Sequence, residues 1–412
     1  MYRLLKAKSQ GLTPALVDFT RQLVQTPSVS LHEGKVAEQI QRQMTTMGYD
    51  TVMRDDVGNV VGVIYGREAA PTALLCTHMD TVSPGKRDAW ERDPFSGHIE
   101  DGRLYGRGAA DCKGGLAAQL FAGALLKRSL LPLKGTLVVA ATTAEQNGLG
   151  LGVRPLLEKT LPELGLQGDF AILGEPTNLG LYYGHDGWLE THIEVEGADA
   201  GHVRDAASAI FEDLELTCRW RSRAAGGRED IAVYSPRFKE ERGGLRRATV
   251  RMDKRLQEAE DVQIILNDVN HSLSRLVQGK GTVAVKAVVR SQRQRLYTGK
   301  TTVVRRVTNA WQTDPFHPFI EQTRRALAAA DCEAVPAKWE LSRLGMGTAG
   351  GVLVNEFGIP TVGYGPGCET VAHEPNEHVV LDKVTECVYG TAAAVHGLIG
   401  IPVFGWTSDE EI

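Results

Sequence analysis

The chain has 412 residues, of which 42% are hydrophobic and 24% charged, and its formal net charge at pH 7 is −5. Because this length exceeds the size at which one hydrophobic core stops growing, we expect two domains. The small negative charge gives no reason to expect nucleic acid or an acidic membrane surface as a partner, and no apolar run reaches the roughly 20 residues that span a bilayer.

The first half of the chain alternates between helix and strand patterns. Its first 14 residues lack the continuous apolar segment of a secretory signal, so we expect a cytoplasmic protein. The predicted elements are a helical region over 14–48, a strand pattern over 51–65 that is broken at Gly58, a strand over 73–76, a helix over 114–126, and strands over 136–141 and 170–173. This alternation favours an α/β domain with a largely parallel sheet.

The pattern of predicted elements changes after Gly184. The predicted elements there are strand 189–196, helix 206–216, strand 248–252, helix 261–277 and strand 281–289. This order predicts a small α+β domain inserted into the larger one.

The helix pattern of the first domain resumes near Pro315, and a further buried strand is predicted over 359–364. Only the tail, 407–412, looks disordered. We therefore assign 1–186 and 304–412 to one domain and 187–303 to the insert.

The six cysteines are spread along the chain without a Cys-x-x-Cys pair. In a chain of this length, that pattern indicates reduced thiols rather than a disulfide framework. Cysteine is therefore a poor candidate for a metal ligand, and a metal site would be built from His, Asp and Glu.

Charged residues follow directly after several predicted strands, where open α/β sheets bind ligands. His78 and Asp80 follow the run 73–76. An imidazole there can bind a metal while a neighbouring carboxylate or carbonyl orients its ring. The alternative is an ordinary surface pair of His and Asp.

Asp111 lies in the glycine-rich segment 106–115. Glycines around a single Asp suggest a backbone that approaches something closely, and a carboxylate there can bridge two cations. The alternative is a turn in which Asp111 caps the following helix.

Three more candidates complete the set. Glu145 follows the strand 136–141 and is a candidate general base for water activated by a metal. Glu175 follows another strand, and His373 lies in a loop near the C-terminus. Each alone is as readily a solvated surface residue, but two histidines and three carboxylates together suit a metal held by nitrogen and oxygen ligands.

The order and sequence of these five motifs resemble the aminoacylase-like metallopeptidase family, which includes acetylornithine deacetylase, succinyl-diaminopimelate desuccinylase and carboxypeptidase G. The resemblance extends from about Phe19 to Leu398 and is greatest to a subgroup of hydrolases assigned to selenium metabolism. It implies an α/β catalytic domain of phosphorylase/hydrolase-like type, with a mixed, mostly parallel sheet flanked by helices. It also implies an inserted α+β, ferredoxin-like lid domain.

The resemblance implies a metallo-amidohydrolase, of the deacylase or di/carboxypeptidase type, that cleaves an N-acyl, peptide or ureido bond of a small amino-acid-like substrate. One or two divalent ions are implied, zinc first, with manganese or cobalt as alternatives. His78 and Glu175 would bind one ion, Asp111 would bridge both, and His373 would bind the other. The peptide between Asp111 and Cys112 would be cis.

The remaining implied roles belong to the general base and to substrate binding. Glu145 would be the base, and Asp80 would orient His78. The lid domain would form a homodimer, in which His202 helps to hold the oxyanion in the neighbouring subunit's site. Arg255 would bind a substrate carboxylate through its two-pronged donor geometry, with a surface ion pair as the alternative.

The segment 347–351, with Thr348 and Gly350, matches the family's substrate-facing glycine loop. Three other positions depart from the family. Gln146 stands where relatives have a Glu that binds the second metal, so we expect weak occupancy of that position or a single ion. The segment around His202 is about two residues shorter than in relatives, and Asp186 lies in a motif where relatives carry Arg.

These departures support a second hypothesis, a catalytically silent relative that binds a small molecule or a partner protein. The presence of Glu145 together with the candidate ligands favours the enzyme. A third hypothesis is an aminopeptidase with the same core and no dimerising lid, which the long insert argues against.

Overall fold

The computed structural model describes residues 2–146, 150–224, 231–240, 246–258, 260–279, 282–332 and 343–401. The tail that was predicted to be disordered, 407–412, lies outside the described residues. They fall into two compact units. The first comprises the described residues of Met1–His185, Arg295–Thr302 and Gln312–Ile412, and the second those of Asp186–Gln294 and Val303–Trp311.

The helices of six residues or more are α1 (Tyr2–Gln25), α2 (Gly34–Met47), α3 (Gly114–Ser129), α4 (Ala200–Ala224), α5 (Val262–Leu276), α6 (Pro318–Ala329), α7 (Gly350–Asn355) and α8 (Leu381–Ile399). Shorter helical segments lie at Arg87–Ala89, Ala109–Lys113, Val153–Pro155, Leu156–Thr160 and Leu161–Glu163. Within the described part of the chain, no helix is both long and apolar enough to cross a bilayer.

The strands are β1 (Thr51–Arg54), β2 (Val60–Ile64), β3 (Thr72–His78), β4 (His98–Glu100), β5 (Arg103–Tyr105), β6 (Thr136–Thr142), β7 (Phe170–Leu173), β8 (Gly184–His185), β9 (Gly187–Gly197), β10 (Ile231–Glu240), β11 (Arg246–Leu256), β12 (Val283–Val289), β13 (Ser291–Arg295), β14 (Thr301–Arg305), β15 (Val307–Thr308), β16 (Trp311–Gln312), β17 (Thr361–Gly363) and β18 (His378–Val380).

A six-stranded sheet forms the centre of the first unit, in the order β1-β2-β6-β3-β7-β17. The pairs from β6 to β17 are parallel, whereas β1, β2 and β6 pair antiparallel. Every residue of β3 and of β6 is buried, as expected for central strands that are covered on both faces. The prediction of an α/β domain with a mixed, mostly parallel sheet is confirmed.

Helix α3 lies against this sheet and is buried over nearly its whole length. Gly115 in its first turn makes the close approach possible, because a Cβ atom there would lie 1.9 Å from the carbonyl oxygen of Gly174. A side chain at this position would therefore push the helix away from the segment that carries Glu175.

Two predicted stretches each form two elements in the structure. The helical region 14–48 is two helices, and α1 begins at Tyr2. The strand pattern 51–65 is a pair of antiparallel strands joined by a turn, in which Asp55 Oδ1 accepts the main-chain N–H groups of Val57, Gly58 and Asn59. This turn ends β1 four residues after it begins.

The second unit has the element order β9-α4-β10-β11-α5-β12, and its antiparallel sheet has the strand order β10-β11-β9-β12. Both helices contribute apolar residues to one core with the sheet. Asp261 starts α5 by accepting the N–H groups of Gln263 and Ile264 at 2.6 and 3.1 Å, which satisfies donors that a helix end leaves unpaired. This is the predicted ferredoxin-like arrangement.

The segment Arg295–Thr302 belongs to the first unit although it lies between two stretches of the second. Within the first unit, the hydroxyl of Tyr297 donates a hydrogen bond of 2.6 Å to the carbonyl oxygen of Gly58. A Cβ atom at Gly58 would lie 2.3 Å from the Tyr297 ring, so the ring packs directly on this glycine.

Candidate metal centre

Three strands of the large sheet bring the predicted site residues to one edge. Strands β3, β6 and β7 are parallel neighbours, so their carboxyl ends lie on the same side of the sheet. His78 is the last residue of β3, and Glu145 and Glu175 follow shortly after the ends of β6 and β7. Open α/β sheets bind their ligands at this edge.

Four buried side chains meet there. His78, Asp111, Cys112 and Glu175 each offer a ligand atom, and these atoms all lie within 4.8 Å of one another. His78 Nε2 lies 3.3 Å from Asp111 Oδ1. Nitrogen, oxygen and sulfur donors at such spacing suit zinc and similar divalent ions. Sequence reasoning missed Cys112, although it directly follows Asp111 and the peptide between them is cis.

The other oxygen of Asp111 faces a second pair of residues. His373 Nε2 lies 2.7 Å from Asp111 Oδ2, and the side-chain amide of Gln146 donates a hydrogen bond to the same oxygen. The His373 side chain is 38% exposed, whereas that of Asp111 is 1% exposed. The Asp111 carboxylate therefore lies between two groups of potential ligands.

Glu377 and Arg107 hold Asp111 and His373 in place. Glu377 Oε1 accepts the main-chain N–H groups of Ala110 and Asp111, each at 3.0 Å. Arg107 Nη1 lies 2.6 Å from Glu377 Oε2, and Arg107 Nη2 donates to the carbonyl oxygen of His373 at 3.1 Å. Sequence reasoning singled out neither Glu377 nor Arg107 for this role.

The alternative role of Asp111 as a helix cap is wrong. Helix α3 begins at Gly114, with Lys113 as its N-cap residue. The side chain of Asp111 instead contacts His78 and His373, because the main chain at Asp111 departs from helical geometry (φ −124°, ψ 92°).

Asp80 contacts both the candidate ligand His78 and the turn that carries Glu145. His78 Nδ1 lies 2.9 Å from the main-chain carbonyl oxygen of Asp80 and 3.5 Å from its carboxylate. The carboxylate accepts the N–H groups of Glu145 and Gln146, each at 3.0 Å, and the hydroxyl of Ser30 at 2.6 Å. Asp80 thus orients the His78 ring chiefly through its main chain, and its carboxylate fixes the backbone of Glu145.

Glu145 is buried, and among the described residues its Oε2 atom has no hydrogen-bond partner. Burial raises the pKa of Glu145 to about 7. A carboxyl group with a pKa near neutrality and one oxygen unengaged can accept a proton and return it. Glu33 supports this turn, because its Oε1 atom accepts the N–H of Ala144 at 3.0 Å.

Three buried carboxyl groups, those of Asp111, Glu145 and Glu175, lie close together at the candidate metal centre. Burial and, to a smaller extent, the charges of Asp111 and Glu145 raise the pKa of Glu175 to about 8. Burial also opposes the charged form of Asp111, but His78 and His373 hold the pKa of Asp111 below its ordinary value. Carboxylates so placed are stabilised when a cation lies between them, so this donor set fits a divalent metal ion.

The glycine loop is attached to His185. Thr348 is buried, and its main-chain N–H donates to His185 Nε2 at 3.1 Å. The N–H of Gly350 donates to Thr348 Oγ1 at 3.2 Å at the start of α7. His185 itself is buried and belongs to the first unit.

His202 and Arg255 lie in the second unit. His202 is in the first turn of α4, where its main-chain N–H donates to Asp199 Oδ1 at 2.8 Å. Arg255 Nη1 lies 3.3 Å from Asp186 Oδ2, which is the ion pair considered as the alternative. Their action on a substrate stays a prediction.

Residues 74–396 match the family model described as peptidase family M20/M25/M40. The chain belongs to this family. The matched range includes His78, Asp111, Glu145, Glu175 and His373. Membership makes the chain a metallo-hydrolase that cleaves amide bonds, and it confirms the resemblance to the aminoacylase-like metallopeptidases.

Known proteins extend this comparison. The uncharacterized protein YgeY of Escherichia coli K12 is 27% identical over 404 residues, which are 95% of this M20 chain and 96% of YgeY. Succinyl-diaminopimelate desuccinylase of Stenotrophomonas maltophilia R551-3 is 34% identical over 196 residues, 46% of this chain and 51% of that enzyme. The solved YXEP protein of Bacillus subtilis, described as a dinuclear metal binding peptidase of family M20, superposes with a TM-score of 0.67 at 16% identity, covering 94% and 98% of the two chains. The last likeness supports the fold, with a catalytic domain and a lid.

Proposed function

We propose that this M20 hydrolase cleaves an N-acyl, peptide or ureido bond in a small amino-acid-like substrate. The observation that supports it best is the convergence of His78, Asp111 and Glu175 within 4.8 Å, beside the buried carboxyl group of Glu145. The relative named succinyl-diaminopimelate desuccinylase supports an acylated amino acid as the substrate class.

His78, Asp111 and Glu175 are the residues that we propose to hold a divalent ion. Zinc is the first choice because the donors include imidazole nitrogen and carboxylate oxygen, with manganese and cobalt as alternatives. His373 and Gln146 contact the opposite oxygen of Asp111, where a second ion would need them. The YXEP protein, as a dinuclear metal binding peptidase, supports considering such a second ion.

A divalent ion held at this centre would polarise the amide carbonyl and make a nearby water more acidic. Glu145 accepts a proton from the water while the water oxygen forms a bond to the carbonyl carbon. When the bond between carbon and nitrogen breaks, Glu145 delivers that proton to the leaving amine. Asp80 keeps the base in position by accepting its main-chain N–H.

The remaining roles follow from the family resemblance. We propose that the loop with Thr348 and Gly350 contacts the substrate, and that Arg255 binds a substrate carboxylate in exchange for part of its contact with Asp186. The second unit is the proposed lid and dimerisation domain, and His202 the proposed oxyanion donor to a neighbouring subunit. We further propose that the protein works in the cytoplasm.

The test is hydrolysis of a panel of N-acyl amino acids, dipeptides and ureido compounds with added zinc, manganese or cobalt. Glu145→Gln preserves the size of the side chain and removes its basicity, so kcat should fall by at least about 100-fold. Glu158→Gln is the matched control, since Glu158 is exposed on a neighbouring helical segment, and it should retain full activity.

Turnover that persists in Glu145→Gln would reject the proposed base. Absence of turnover with every metal and substrate would favour the silent binding protein instead. The mass of the protein in solution, measured by light scattering, tests the dimer separately, and a monomer would exclude a role of His202 in a second subunit.

A further inference from the structure

The two oxygens of the Asp111 carboxylate have different surroundings. On the Oδ1 side lie His78 at 3.3 Å and the candidate ligand atoms of Glu175 and Cys112. On the Oδ2 side lie His373 Nε2 at 2.7 Å and the side-chain amide of Gln146. The set of mutually close ligand atoms contains residues of the first side and does not extend to His373.

On the Oδ2 side of Asp111, Gln146 presents a hydrogen-bond donor rather than a metal ligand. Its Nε2 group carries hydrogens and donates to Asp111 Oδ2; an amide turned the other way would place two oxygens against each other. An amide nitrogen in this state cannot bind a cation. Among the residues that the structure describes, the protein donors left on that side are one shared carboxylate oxygen and one imidazole, fewer than the three or four that zinc sites use.

The balance of charge also disfavours a second cation on the Oδ2 side. One divalent ion on the Oδ1 side would be neutralised by the two carboxylates of Asp111 and Glu175. A second ion would add two positive charges, and position 146 would contribute no negative charge to balance them. Uncompensated charge is costly to hold in a buried site, and Asp111 is only 1% exposed.

We infer that this centre binds a single divalent cation with high affinity, on the His78 side of Asp111, and that Gln146 keeps the opposite side free of a second one. The inference rests on the proposed metal-dependent function and refines its ion count. It also revises the role that the resemblance implies for His373, whose partly exposed imidazole here hydrogen-bonds Asp111.

The experiment counts ions rather than activity. Metal-free protein is incubated with excess zinc, freed of unbound ions by gel filtration and analysed by plasma mass spectrometry, and zinc binding is followed in parallel by titration calorimetry. Wild type should retain about one ion per chain, and Gln146→Glu about two, because a carboxylate restores a charged ligand. Calorimetry should show the second site strengthened by at least about 10-fold in Gln146→Glu.

Two further variants complete the design. Gln10→Glu adds the same charge at an exposed position of α1 and should keep the wild-type count. His373→Ala should also keep one ion, because His373 is not needed to hold it, and this variant decides the question even if Gln146→Glu fails to fold.

The outcomes separate the two proposals. Two tightly held ions in wild type, loss of an ion in His373→Ala, or an unchanged count in a folded Gln146→Glu protein would overturn the single-cation centre. Wild type that retains no zinc, and no manganese or cobalt when either replaces zinc in the incubation, would reject the metal-dependent function itself.

Discussion

The carboxylate of Asp80 accepts the main-chain N–H of Glu145 at 3.0 Å. Its other oxygen accepts the N–H of Gln146, also at 3.0 Å. Two neighbouring donors of one turn are therefore held by a side chain that is itself adjacent to the candidate ligand His78. The position of the proposed base, which follows β6, therefore depends on a residue that follows a different strand, β3.

Asp80→Asn should lower kcat by about 10–100-fold, as replacement of groups that support a metal centre typically does. An amide offers one acceptor oxygen, so one of the two N–H groups would face an NH₂ group instead. KM should change little, because Asp80 is buried beneath the turn. Steady-state kinetics measures both, with exposed Asp88→Asn as the control; equal kinetics in both variants would contradict the positioning role.

Glu377→Ala should destabilise the fold by about 3–5 kcal/mol, because it leaves the buried charge of Arg107 without its partner. The variant also removes the acceptor of the N–H of Asp111, so zinc affinity should fall as well. Denaturant unfolding and zinc titration measure the two effects.

The exposed pair of Arg92 and Glu100 has the same distance, 2.6 Å, as the pair of Arg107 and Glu377. Glu100→Ala should cost only about 0.2–1 kcal/mol, the usual range for exposed ion pairs, and leave zinc affinity unchanged. Similar losses in the free energy of unfolding of Glu377→Ala and Glu100→Ala would show that burial of the Arg107–Glu377 pair has no special importance.

Gly115→Ala should destabilise the protein by about 1–3 kcal/mol through overpacking, because the added carbon would lie 1.9 Å from the Gly174 oxygen. Gly11→Ala in α1 should instead stabilise it by about 0.5–1 kcal/mol, since nothing lies within 4 Å of the added carbon. In thermal unfolding, the changes in Tm of the two variants should have opposite signs. Changes of the same sign would contradict the close approach of Gly115 to Gly174.

Zinc at 100 times its dissociation constant should stabilise the folded protein by about 2.7 kcal/mol. Magnesium should give a smaller shift, because it prefers oxygen ligands and retains its water. Glu175→Gln should lose most of the zinc-dependent rise in Tm, whereas Glu158→Gln should keep it. A rise of equal size in Glu175→Gln would remove Glu175 from the ligand set.

Much of the fold could be predicted because its central strands are short, continuous apolar runs. Strands β3 and β7 end where the polar motifs begin, and both are evident from that pattern. Helix α8 was missed because it is buried on most of its surface and so lacks a one-sided apolar stripe, and because its valines, threonines and glycines have lower helix propensity than the alanines and leucines from which the buried helix α3 was predicted.

The candidate ligands His78, Asp111 and Glu175 could be predicted in the same way, since each follows a strand end or lies in a glycine-rich segment. The residues that hold them in place could not. Glu377 acts on the N–H of Asp111, 266 positions away, and a contact between a side chain and a remote main-chain group leaves no local pattern in the sequence. Cys112 was missed because scattered cysteines are usually plain reduced thiols, although its neighbour Asp111 is a predicted ligand.

The return of Arg295–Thr302 to the first unit limits how this protein can be shortened. Deleting the whole stretch from 186 to 311 would also remove Tyr297, whose hydroxyl bonds the Gly58 carbonyl and whose ring covers that glycine. A minimal hydrolase core would therefore need two separate excisions, one between residues 185 and 295 and another between 302 and 312, with the eight-residue return segment retained as an intact bridge.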